Sequence, residues 1–130
     1  MTTKDQMTQA EEALRRTLDK VATKLSEPAH DLLSEAMGAA YAAWLSPNSP
    51  LQPEEYEETE KKLCSAAAKL TDHDRELLAE VARAHKAASL SIDPNDDTYL
   101  GYGVYRKYYR GYYNMVYGWI EETLGGTLPQ

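Results

Sequence analysis

The segment Thr98–Leu124 reads TYLGYGVYRKYYRGYYNMVYGWIEETL and holds most of the tyrosines of the chain, which has 10 in total and no phenylalanine. When its residues are placed at about 100° per step, aromatic and aliphatic side chains fill most of the circumference of one long helix. A helix that is apolar on most sides is typical of the centre of a bundle. The segment therefore predicts a central C-terminal helix, which Gly125 and Gly126 end.

The same segment contains glycines that a helix does not favour. Glycine inside a helix costs about 1 kcal/mol relative to alanine, so its repeated use indicates that something packs closely there. Gly111 and Gly118 lie one heptad apart on one side of the predicted helix. We expect a neighbouring backbone to approach the helix on that side.

Outside this segment the apolar residues also recur with helical spacing, and no run alternates as a strand would. The sequence predicts an all-α fold, a single compact bundle of about five helices in one domain that spans residues 1–130. A proline-rich loop, 46–53, lies within the domain, and a short tail, 125–130, follows the last helix. The predicted helices are Lys4–Leu25, Pro28–Leu45, Pro53–Leu70, a helix capped by Thr71 that runs to Leu90, and Thr98–Leu124.

Composition excludes several classes of function. The chain has 130 residues with 14 basic and 21 acidic side chains, so its net charge is −7. This balance predicts neither direct nucleic-acid binding nor binding to an anionic membrane, because both need Lys and Arg to neutralise phosphates. The single cysteine, Cys64, and three scattered histidines predict no metal site and no cofactor. No secretory signal is recognisable, which predicts a cytoplasmic location.

The candidate binding site lies on the polar sector of the C-terminal helix. Two guanidiniums four residues apart, flanked by phenols, could clamp a carboxylate or a phosphate, and Tyr, Trp and Arg are enriched at binding hot spots. In the alternative interpretation the arginines pair internally with acidic residues of neighbouring helices, and the tyrosines pack between helices with their hydroxyls reaching water. The candidate binding residues are Tyr99, Arg106, Arg110, Asn114, Tyr117 and, on the second helix, Trp44.

A second candidate surface is an acidic run at the start of the third helix. Such a run complements the helix dipole and is usually a solvated helix face. It could also mimic the charge of nucleic acid toward a basic enzyme. The acidic surface residues are Glu54, Glu55, Glu57, Glu58 and Glu60.

No motif for nucleotide binding, metal-dependent hydrolysis or a hydrolytic triad is present, so the sequence predicts that the protein is not an enzyme. The leading hypothesis is an interaction module that binds a protein partner, or a second copy of itself as a homodimer, through the Tyr, Arg and Trp residues above. One alternative is an acidic inhibitor of a nucleic-acid-handling enzyme, of the kind found in phages and mobile elements. Another is a pocket for a small phosphorylated or anionic ligand around Arg106 and Arg110.

Overall fold

The computed structural model describes residues 7–47 and 51–126. Within these residues five helices form a compact bundle, as predicted, and the C-terminal helix packs against three of the other four. Two short strands precede that helix. The elements in chain order are α1 (Gln9–Ala22), α2 (Glu27–Trp44), α3 (Pro53–Ala67), α4 (Asp72–Leu90), β1 (Tyr99–Gly101), β2 (Val104–Tyr105) and α5 (Arg106–Gly125).

Helix α1 begins later than the apolar spacing predicted. Thr8 is its N-cap, and its side chain accepts a hydrogen bond from the backbone N–H of Glu11, whose carboxylate accepts one from the N–H of Thr8. This capping box sets the N-terminal end of the helix, so Met7 lies outside the helix. The predicted start at Lys4 lies outside the described residues, as do residues 48–50 of the proline-rich loop and residues 127–130 of the tail.

Helix α4 begins at the predicted cap. Thr71 accepts from the N–H of Asp74, and the Asp74 carboxylate accepts from the N–H of Thr71. The same carboxylate also accepts from the hydroxyl of Ser26 at 2.6 Å and from its N–H at 3.1 Å. Since Ser26 is the N-cap of α2, one buried carboxylate joins the starts of two helices.

The predicted start of the C-terminal helix at Thr98 is wrong. Residues 99–105 form an antiparallel hairpin in which Tyr99 pairs with Tyr105, and the helix begins only at Arg106. The turn uses three consecutive residues with positive φ, Gly101, Tyr102 and Gly103, which no right-handed helix can accommodate. At the other end the prediction is confirmed, because Gly126 takes the left-handed conformation at the C-cap.

The core lies where α5 meets α4 and α2. Val116 and Ile120 of α5 are fully buried, as are Leu78 and Val81 of α4. Helix α2 contributes mainly alanines, of which Ala36 is fully buried, so it can lie close to α5. None of the helices among the described residues is long and apolar enough to cross a bilayer.

Candidate interaction groove

A surface groove of about 520 Å³ lies where the C-terminal ends of α2 and α4 meet the first half of α5. Its lining combines apolar side chains with cations and lacks acidic residues. We call it the Trp44 groove. The residues that define it are Trp44, Lys86, Leu90, Tyr108, Arg110 and Asn114.

Trp44 is seated on Gly111 of α5. A Cβ at Gly111 would lie 2.5 Å from two atoms of the indole ring, so only glycine permits this contact. The group that approaches the glycine is therefore a side chain and not the predicted backbone, and Gly118 has nothing within 4 Å of such a Cβ. The indole remains 43% exposed despite this close seat. Trp44 is thus held in place while much of its ring faces solvent.

Leu90 is the second apolar group of the Trp44 groove. It ends α4 and is 61% exposed. Sequence periodicity did not single it out, because exposure at the end of a helix depends on how the next segment turns. A leucine and a tryptophan exposed in one groove make an apolar surface of the kind that marks binding sites.

Arg110 is fixed by the end of α4. Its Nη1 donates hydrogen bonds to the carbonyl oxygens of Ser89, at 3.1 Å, and Ile92, at 2.6 Å, and the Ser89 hydroxyl donates to the carbonyl of Arg110. A cation at this position adds hydrogen bonds to carbonyls at the end of α4 and just beyond it, and complements the negative end of the helix dipole. Among the described residues Arg110 forms no salt bridge with a carboxylate.

Lys86 supplies a second cation. Its Nζ lies 4.6 Å from the ring centroid of Tyr117, a cation–π contact that orients the ammonium without neutralising it. Tyr117 thus supports the Trp44 groove from one side without lining it. Asn114 is exposed within the groove. Lys107, at the rim, is paired with Asp97 at 2.6 Å.

Arg106 lies in the interior and takes no part in the Trp44 groove. Its two terminal nitrogens donate to the two carboxylate oxygens of Glu11, and the Tyr113 hydroxyl donates to the same carboxylate at 2.7 Å. For this arginine the structure shows the internal alternative. The hydrogen bond to Glu11 raises the pKa of Arg106, although burial opposes that shift. Burial raises the pKa of Glu11, but hydrogen bonds from Arg106, Thr8 and Tyr113 outweigh it and lower the pKa overall.

Tyr99 lies on β1. It therefore does not share a helix face with Arg110, contrary to the prediction from helical spacing. Its ring packs 5.1 Å from that of Tyr105, which packs 5.5 Å from that of Tyr108, a residue of the Trp44 groove. Its hydroxyl accepts a hydrogen bond from the N–H of Gly103. Of the six candidate binding residues, the structure therefore brings Trp44, Arg110 and Asn114 together.

The acidic run occupies the first turns of α3. Four of its glutamates are exposed and Glu60 is half-buried. Glu55 also accepts from the N–H of Gln52, so one of the four is part of a capping box. Three of them line a groove of about 440 Å³ beside α2. The exposed members are Glu54, Glu55, Glu57 and Glu58.

A larger groove, of about 650 Å³, lies between α2 and α3. Its lining has three carboxylates and three lysines, and Lys62 pairs with Glu35 at 3.2 Å. Its charges balance and its lining contains no large apolar side chain, so it lacks the exposed aromatic and aliphatic groups of the Trp44 groove. The described residues include no cluster of His, Cys, Asp and Glu that could hold a metal ion. No protein-family model, curated protein or solved structure matches the chain.

Proposed function

We propose that the protein is a non-enzymatic interaction module and that the Trp44 groove is its binding face. The observation that carries the proposal is the exposed indole of Trp44, held on Gly111 beside the exposed Leu90. Exposing two large apolar side chains to water is unfavourable, and a partner that covers them recovers about 25 cal/mol for each Å² of apolar area.

The cations around the groove define the chemistry of the partner. Lys86 and Arg110 pair with no carboxylate among the described residues, although the whole chain carries a charge of −7. A local positive surface on an acidic protein selects a partner that brings carboxylates. The partner is therefore a protein segment that offers a large apolar or aromatic side chain with Asp or Glu beside it.

A displayed library of random peptides, selected on the folded protein, tests this proposal. Enriched peptides should combine an aromatic or large aliphatic residue with nearby carboxylates. A synthetic peptide of that sequence should bind to Trp44→Ala at least about tenfold more weakly than to the wild type, because a central aromatic residue is a typical hot spot. Selection of peptides that bind Trp44→Ala equally well would place the binding face elsewhere.

Charge reversal supplies the matched control. Lys86→Glu should weaken the same peptide several-fold, and the effect should shrink as salt is raised. Lys69→Glu makes the same change in net charge at an exposed lysine of the connection after α3 and should leave the affinity unchanged. Equal effects of the two variants would mean that the attraction depends only on the net charge of the protein. Circular dichroism checks that all variants retain their helices.

The exposed glutamates of α3 support a second candidate function, inhibition of a basic nucleic-acid-handling enzyme by charge mimicry. Glu54, Glu55 and Glu58 line one groove, which concentrates negative charge there. The triple reversal Glu54→Lys/Glu57→Lys/Glu58→Lys should then abolish inhibition, whereas Lys86→Glu should not affect it. An inhibitory effect that survives the triple reversal would exclude mimicry through α3.

A small anionic ligand is a third candidate, limited to Arg110 and Lys86 because Arg106 is paired with Glu11. A thermal-shift titration with inorganic phosphate and nucleotides tests it, since a ligand that binds only the folded state raises Tm.

A cytoplasmic location likewise stays a prediction.

A further inference from the structure

The tip of the hairpin presents one tyrosine outward. Tyr102 has a φ of 55° between two glycines with φ of 98° and 80°, and its side chain is 93% exposed. The left-handed conformation costs a bulky residue about 1–2 kcal/mol, so Asn or Gly would be easier to accommodate there. So exposed a side chain makes few contacts with its own chain that could offset this strain.

The hairpin that carries this tyrosine is attached to the bundle next to the Trp44 groove. The strands pair at Tyr99 with Tyr105, and the N–H of Arg106 donates to the carbonyl of Thr98 at 2.8 Å. Rings of the hairpin stem pack in sequence onto Tyr108 of the groove. A Cβ at Gly103 would lie 3.2 Å from the ring of Pro47, a residue just after α2. The projecting tip and the groove therefore belong to one continuous face.

The tip has the chemistry that the groove selects. Tyr102 and the exposed Leu100 supply large apolar side chains. The exposed Asp93, in the loop before the hairpin, supplies a carboxylate that forms no salt bridge among the described residues, whereas Asp97 is already paired with Lys107. The groove supplies an apolar floor with the cations of Lys86 and Arg110. Projection and groove thus each offer apolar side chains, and the carboxylate of Asp93 is opposite in charge to the cations of the groove.

A projection and a complementary groove side by side on one face fit a two-fold symmetric dimer, in which each surface of one copy meets the other surface of its partner. We propose that two copies of the chain pair about such an axis and that each inserts Tyr102 into the Trp44 groove of the other. The proposal rests on the proposed function and names its partner as a second copy. Each dimer therefore contains two equivalent junctions, each formed by Tyr102 of one copy and the Trp44 groove of the other.

Sedimentation velocity of the intact protein over a range of concentrations tests the dimer. The wild type should change from monomer to dimer as its concentration rises. Tyr102→Asn keeps a residue that tolerates positive φ, so the fold should survive while the dissociation constant of the dimer rises by about tenfold or more. Trp44→Ala should have the same effect. Tyr41→Ala, an exposed tyrosine of α2 outside the groove, should dimerise like the wild type.

Mixing the two defective variants gives the sharpest result. Tyr102→Asn has an intact groove and Trp44→Ala has an intact tip, so a mixed dimer keeps one of the two junctions. An equimolar mixture should therefore contain more dimer than either variant alone. Any one of three results would overturn the proposal. The wild type could stay monomeric at every concentration, or Tyr102→Asn could dimerise as strongly as the wild type. The third such result is a mixture that contains no more dimer than either variant alone. Peptide selection that depends on Trp44 would still support the groove if the chain proved monomeric, so the two proposals can fail separately.

Discussion

Replacing His85 with leucine should remove most of the pH dependence of stability between pH 7.5 and 5.5. His85 is fully buried in α4, with its ring 6.0 Å from that of Tyr113. Its Nδ1 lies 2.9 Å from the carbonyl oxygen of Val81, so that nitrogen carries the proton. Nε2 has no hydrogen-bond partner among the described residues. Burial lowers the pKa of His85 to about 4 from its usual 6.5, and the bond to Val81 opposes that shift only in part.

The sign and size of the effect follow from this shift. Because the folded pKa is the lower one, the unfolded chain takes up a proton below pH 6.5 that the folded chain refuses. Stability is therefore complete above pH 6.5 and falls as the pH drops toward 4, by at most about 1.4 kcal/mol per pH unit. From pH 7.5 to 5.5 the loss is about 1.3 kcal/mol, and by pH 4 it reaches about 3 kcal/mol. The carboxyl groups of Glu11 and Asp74, whose pKa is lowered in the folded state, contribute little to the pH dependence between pH 7.5 and 5.5, because they stay ionised in both states.

Urea unfolding at a series of pH values measures the effect. The wild type should lose about 1.3 kcal/mol between pH 7.5 and 5.5, whereas His85→Leu should lose only a few tenths. His73→Gln, a change at an exposed histidine of the same helix, should keep most of the wild-type slope. Equal slopes for the wild type and His85→Leu would refute the assignment of the pH dependence to this ring.

Three further predictions concern buried polar groups and the seat of Trp44. Arg106→Met leaves the carboxylate of Glu11 buried without its cation, so chemical denaturation should show a loss of about 3–5 kcal/mol, part of which Glu11→Gln should restore in the double variant. Burial raises the pKa of Asp74, but the hydrogen bonds from Ser26 and Thr71 outweigh it and bring the pKa to about 2, so Asp74→Asn should cost about 2 kcal/mol at neutral pH. That difference should disappear in unfolding curves measured as the pH falls from 3.8 toward 2. Gly111→Ala places a Cβ against the indole of Trp44 and should move the ring into solvent, which a red shift of the tryptophan fluorescence and weaker peptide binding would report.

Local rules predicted most of the fold because the signals are local. Thr71 and Asp74 are three residues apart, which is the spacing of a capping box, and Gly126 follows the last apolar turn of α5. The hairpin was missed because a helical wheel places any segment on a helix. Its signal was present, since Gly101 and Gly103 flank one residue between segments that favour strands. Weighing those glycines as turn residues would have separated Tyr99 from the helix.

The candidate site was harder to predict because its decisive contacts join distant residues. Arg106 and Arg110 are chemically alike and share a helix face, yet the first is neutralised by Glu11, 95 residues away in the chain. Nothing near either arginine in sequence distinguishes them. The seat of Trp44 on Gly111 and the exposure of Leu90 depend in the same way on how α2 and α4 end.

The carboxylate of Glu11 serves the cap of α1 and the side chains of Arg106 and Tyr113 at the same time. Fraying the first turn of α1 would therefore leave a buried guanidinium at the start of α5 without its counter-ion. The first turn of α1 and the start of α5 consequently open together or remain closed together, as one cooperative unit. The N–H groups of Glu11 and Glu12, which both bond to Thr8, should exchange as slowly as those at the start of α5, although helix ends ordinarily exchange fastest.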